Sequence, residues 1–146
     1  MRNLKIKRKL QNTLALIAGF FIGGTVNMML IKFSGSIVPL PKEIDPSNML
    51  SLKENMHLFK PINYTMPFLA HALGTLTGAY IAAKIALTHK LEFALAIGIL
   101  FLIGGIIMSL TLPAPLWFDL TDLLLAYIPM ALLAYRFANL RLSKQN

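Results

Sequence analysis

The chain of 146 residues is 56% hydrophobic and only 14% charged, with a formal net charge of +8 and no cysteine. That balance excludes an ordinary soluble domain and marks an integral membrane protein. The lack of cysteine excludes disulfides, thiolate catalysis, thiolate metal sites and c-type haem attachment, and leaves the redox state of the compartment unread.

Four apolar stretches reach the length of about 20 residues that a helix needs to cross about 30 Å of hydrocarbon. They cover residues 10–33, 65–88, 91–112 and 118–139, separated by a long loop over residues 34–64 and two short ones. The expected fold is an all-α integral membrane protein, a four-transmembrane-helix bundle forming a single domain over residues 1–146. Ahead of the first stretch stand Arg2, Lys5, Lys7, Arg8 and Lys9, as in a secretory signal. The apolar run is too long for a cleaved signal, and Lys32-Phe33-Ser34-Gly35 offers no A-x-A-like site, so a retained first span is expected. Within it, Ala15, Gly19, Gly23 and Asn27 form a row at helical spacing.

The long loop divides in two. "SGSIVPLPKEIDPSN" holds Pro39, Pro41 and Pro46, which remove backbone donors and favour extended and turned chain. "SLKENMHLFK" opens with Ser51 and Glu54 at capping-box spacing, and Met49, Leu52, Met56 and Phe59 fall along one helical side. A short amphipathic helix on the outer membrane surface or capping the bundle is expected, with an irregular loop as the alternative. Pro61 ends that segment.

The second stretch reads "FLAHALGTLTGAYIAAKIA" from Phe68. At about 100° per residue, Ala70, Gly74, Gly78, Ala82 and Ala86 share one face, while Leu69, Leu73, Leu76, Tyr80 and Leu87 lie opposite, toward lipid. In a bilayer, small residues draw helices together by letting backbones approach, so this face is expected to pack on the glycine row of span one. His71 and Thr75 fall inside the same face. Asn27, His71 and Asp122 reach a similar depth from one end of the bundle, with Asp119 just above, and together make a candidate polar cluster. Ionisable groups inside a bilayer are costly and face a partner or a cavity. Two readings stay open: a polar pocket in which Asp122 accepts a hydrogen bond from His71, or His71 and Asn27 as helix-to-helix glue with Asp119 near a helix start.

Span three carries Gly104-Gly105, which align with Gly23-Gly24 of span one, and "IAAKIA" from Ile81 matches "LAYRFA" from Leu133. Either a weak parallel repeat of two helical hairpins or convergent use of Gly and Ala at helix contacts produces such a match. Tyr64, Trp117 and Phe118 are expected as aromatic-belt anchors. Lys84 is expected to snorkel, Glu92 to pair with Lys90 or Lys84, and Pro129 to kink span four.

Ten basic residues, among them Lys84, Lys90, Arg136, Arg141 and Lys144, fall on one side of this arrangement, and Lys32, Lys42, Lys53 and Lys60 on the other. By the positive-inside bias both termini are cytoplasmic and the long loop is external. The charges sit where topology alone places them, so no nucleic acid is expected. Anionic headgroups on the cytoplasmic face are the expected partner, at about 1 kcal/mol per basic residue near the surface.

A long basic start, "PLPKEID" after the first span, "AHALGTLTGAYIAAKIA", "GG" in the third, "PAPLWF", and a proline in mid-span four together resemble a widespread group of small four-span bacterial membrane proteins with no assigned activity. The resemblance covers most of residues 10–140, implies the topology and a bacterial inner membrane, and implies no catalytic residue. With no nucleophile, metal or phosphate motif, no enzyme and no cofactor are expected. The leading expectation is an accessory or homo-oligomeric membrane module, or a subunit of a larger membrane complex. A small-solute or ion transporter built as an oligomer follows, and then a lipid-modifying enzyme with His71 as base.

Overall fold

The computed structural model describes residues 2–45 and 48–140. Expectations resting on Pro46, Arg141 and Lys144, and on the placement of both chain ends, lie outside the described residues. The described chain is all-helical: α1 (Arg2–Ile37), α2 (Met49–Asn55), single 3-10 turns at Met56–Leu58 and Pro61–Tyr64, α3 (Thr65–Ile85), α4 (Lys90–Thr111), α5 (Leu116–Leu125) and α6 (Ile128–Leu140). Four helical stretches are long and apolar enough to cross a membrane: Asn3–Ile37, Pro61–Ile85, Lys90–Thr111 and Leu116–Leu140.

Helix α1 outruns its apolar run at both ends. Its 36 residues span about 54 Å at 1.5 Å per residue, well beyond a hydrocarbon core. Extension through Ser34 and Ser36 is tolerated because Ser34 donates its hydroxyl to the Ile31 carbonyl at 2.7 Å. The chain then turns back, and the turn is tied down by two residues the sequence pattern does not single out. Ile44 is buried, and the Asn63 amide donates to the Pro39 carbonyl at 3.2 Å.

The start of α2 differs from the capping box expected at Ser51. Asn48 caps the helix, its side chain accepting from the backbone N–H of Leu50 and Ser51. Ser51 Oγ accepts instead from the Asp45 N–H at 2.9 Å. An Asx cap three residues before the serine of the motif satisfies the orphan donors of the first turn, so the box is not needed. No residue of α2 itself is buried. Met56 and Phe59, just past it, pack with Tyr64 and Phe118 over one end of the molecule, called here the loop end.

Helix α3 is the central element, packed on α1, α4 and α6. At the opposite, basic end, the tight turn from α3 into α4 puts His89 in the left-handed region at φ 56°. Asn12 of α1 clamps this turn, accepting from Leu87 N–H at 2.9 Å and donating to Thr88 Oγ1 at 2.8 Å. Glu92 pairs with His89 at 2.8 Å, not with Lys90 or Lys84, because the turn folds the imidazole back over the first turn of α4. Lys84 donates to the Ala138 carbonyl near the end of α6, where a cation suits the helix dipole.

The fourth stretch is broken. Pro129 has no N–H for the Leu125 carbonyl, and the helix stops at Leu125 and resumes at Ile128. The two halves of the supposed repeat also differ in contact. A side chain on Gly23 would strike α3, whereas its counterpart Gly104 faces open space.

Candidate functional site

Helix α3 meets its neighbours through two unlike seams. Toward α1 the contact is backbone on backbone. A Cβ on Gly78 would fall 2.6 Å from the Gly19 carbonyl oxygen, one on Gly23 2.6 Å from that of Gly74, and one on Gly19 2.9 Å from the Ala82 Cβ. The two small-residue rows therefore interlock in antiparallel register. Ala70, Ala82 and Ala86 are fully or almost fully buried. On the far side of α3, Leu69, Leu73 and Leu87 are exposed. Leu76 and Tyr80, placed toward lipid by the wheel, instead pack against the core of Ala79, Ala83, Ala94 and Ile97. The helical wheel treats one side as open, whereas α4 and α6 close over part of it.

The second seam joins α3 to α5 and α6 through side chains. His71 Nδ1 lies 2.9 Å from both oxygens of the Asp122 carboxylate. Tyr127, in the break between α5 and α6, donates its hydroxyl to Asp122 Oδ2 at 2.9 Å. Its ring stacks on the imidazole, with centroids 5.8 Å apart and planes 27° from parallel. Asp122 is buried, whereas 20% of the His71 side chain is open. A carboxylate only accepts hydrogen bonds, so the network assigns a proton to Nδ1, and Nε2 makes no hydrogen bond among the described residues. The break in the fourth stretch makes this geometry possible: in a continuous helix, residues five apart point in different directions, and the non-helical Ala126–Tyr127 step returns the phenol to the carboxylate. Gly105 completes the pocket, since a Cβ there would lie 2.6 Å from Tyr127 Cζ.

Of the four residues expected to cluster, two meet. Asn27 packs its Cβ against Gly74 in the glycine seam, and no hydrogen bond joins it to His71. Asp119 lies in the first turn of α5, its N–H bonded to the Pro115 carbonyl, one turn short of the pair. There an acid faces the favourable end of the helix dipole. Thr75, one turn past His71, is fully buried and its hydroxyl has no partner among the described residues. Tyr64 and Phe118 are core residues, not belt anchors, at 3% and 8% exposure, while Trp117 stays 49% exposed with its edge on Tyr64. The loop segment around Met56 covers the first two.

Tyr127 is the member missed by sequence reasoning. The available signal is a tyrosine deep in a span, away from the interfaces it favours, two residues before a proline and close to an acid that needs company. Among the described residues no three His, Cys, Asp or Glu side chains gather as metal ligands. Comparison with family models, curated proteins and solved structures finds no match, so the site rests on its own geometry.

Proposed function

We propose that this chain is a multi-pass protein of a bacterial inner membrane, akin to the four-span group it resembles, with both termini cytoplasmic and the loop over residues 34–64 external. Its role is that of a non-enzymatic module, assembled as a homo-oligomer or as the accessory subunit of a larger membrane complex. The supporting observation is that the buried acid at membrane depth is paired within the chain: Asp122 takes both His71 and Tyr127 and fastens α3 to α5 and to the break that follows it. No polar path continues from this cluster along α4, where Ser109 and Thr111 sit near the loop end and Thr111 bonds its own Ile107 carbonyl. A polar fastener inside apolar helices builds a rigid module, and the remaining apolar faces meet lipid or a partner chain.

Native mass spectrometry after mild extraction tests this reading. A fixed copy number or a stoichiometric partner supports the module, and a monomer that moves solute in proteoliposomes overturns it. Orientation is tested separately. Because the chain has no cysteine, Lys53→Cys should be labelled from outside intact cells and Lys90→Cys only after permeabilisation. The broken fourth stretch beside a partly buried histidine–aspartate pair favours a transporter as the second reading, since discontinuous helices flank the binding sites of transporters.

A further inference from the structure

We propose that the open face of α1 seats one phospholipid of net negative charge in the leaflet at the loop end, with an acyl chain lying over Gly24 and the phosphate on Lys32. This goes beyond the module reading and rests only on α1 crossing the membrane.

The two adjacent glycines of span one do different things. Gly23 is committed to the α3 seam, where a side chain would strike Gly74. Gly24 points about 100° away from it around the helix, and a Cβ there would meet nothing within 4 Å. No helix contact requires a glycine at that position, and glycine is a poor helix former. Its consequence is a hollow of about 630 Å³ in the helix surface, with Gly24 and Thr25 as the floor, Phe20 and Phe21 at the end toward the middle of the membrane, Met28 beside them and Lys32 at the mouth. The Thr25 hydroxyl is already spent on the Phe21 carbonyl at 2.8 Å, so the floor asks for no polar partner.

The dimensions are those of a lipid chain. Lys32 is the first charged residue after Lys9 and so marks the loop-end interface of span one. From Lys32 to Phe20 the hollow runs about 18 Å along the axis at 1.5 Å per residue, a little more than half of a hydrocarbon core of about 30 Å. It therefore starts at the headgroups and ends near the midplane, as an acyl chain does. At about 30 Å³ per water-sized group, it holds about 20 such groups, enough for one chain and the start of its head.

The charge at the mouth selects the head. Lys32 is exposed and makes no ion pair or hydrogen bond among the described residues. It stands at the loop end, away from the basic end to which the positive-inside bias draws cations, so orientation alone does not account for it. An unpaired ammonium where an apolar hollow meets the interface is complementary to an anionic phospholipid. A second copy of the same face fits less well, because a two-fold axis along the membrane normal would set one Lys32 against another.

The test uses the full chain in nanodiscs holding equal amounts of palmitoyl-oleoyl phosphatidylglycerol and phosphatidylcholine, which share their tails. Native mass spectrometry should find phosphatidylglycerol retained about fivefold over phosphatidylcholine, the ratio that one basic side chain at a membrane surface supports. Lys32→Gln should leave the two lipids retained alike, while Lys53→Gln, exposed on α2, should keep the preference. Gly24→Leu fills the floor without touching another helix, so it should unfold at the parent's temperature and lose both lipids together. Equal retention of the two lipids by the wild type, an equal loss of preference in Lys53→Gln and Lys32→Gln, or a Gly24→Leu protein that keeps both lipids overturns the proposal. Displacement of phosphatidylglycerol by glycerol 3-phosphate at equal concentration overturns its assignment to a lipid, and a parent dimer that Gly24→Leu turns into a monomer gives the face to a second copy instead. Cysteines at Lys5→Cys and Lys53→Cys should be labelled from opposite sides of the membrane, and labelling of both from one side overturns the placement of α1 on which the proposal rests.

Discussion

The α1–α3 seam and the α3–α5 seam lie on the same helix and are held by opposite means. The first has almost no side chains: Gly19, Gly23, Gly74 and Gly78 bring two backbones into direct contact, and the stabilisation is dispersion over a close approach. The second consists of side chains alone, an imidazole, a carboxylate and a phenol that satisfy one another where water is scarce. A seam without side chains has no freedom to repack, so any added atom displaces a helix. A polar seam tolerates a change of shape but not the loss of a partner.

Substitutions that treat the two seams alike test this difference. The largest effect is expected at Gly78→Leu, where four carbons must enter a space that cannot hold one. The loss should exceed about 4 kcal/mol, the range reached by severe overpacking, and show as failure to recover folded protein after mild extraction. Tyr127→Phe keeps the ring stacked and removes one hydrogen bond to Asp122. A loss of about 1 kcal/mol is expected in reversible unfolding in mixed micelles, in line with polar contacts between membrane helices. Thr75→Val should be neutral or stabilising by up to about 1 kcal/mol, because it deletes a buried hydroxyl that has no partner among the described residues and keeps the shape. Leu73→Ile, on the exposed side of α3, should stay within about 0.5 kcal/mol of the parent in the same assay.

The two seams also differ in how far the sequence revealed them. Glycines recurring every four residues in two apolar stretches fix both the face and the partner, because close backbone approach is their main use in membrane helices. For the polar seam, His71 and Asp122 were legible as intramembrane ionisable groups at one depth. Asn27 was assigned to the same cluster on depth alone. Depth does not fix azimuth, and the glycine seam turns Asn27 toward Gly74. Tyr127 was hidden because its placement depends on the backbone break ahead of Pro129, and a kink was foreseeable where the direction of the side chain after it was not. The N-cap of α2 was misread for a related reason: Asn48 and Ser51 both belong to capping patterns, and spacing does not choose between them.

A double-mutant cycle on His71 and Asp122 tests most directly that α3 is held on this side by a specific polar pair. His71→Phe, Asp122→Asn and the double variant are to be unfolded reversibly in the same micelles, with His71→Phe and Asn27→Ala as the reference pair. A coupling of at least about 1 kcal/mol is expected for His71 with Asp122, and additivity within about 0.5 kcal/mol for His71 with Asn27. Additivity in the first cycle, or equal coupling in both, would contradict the account.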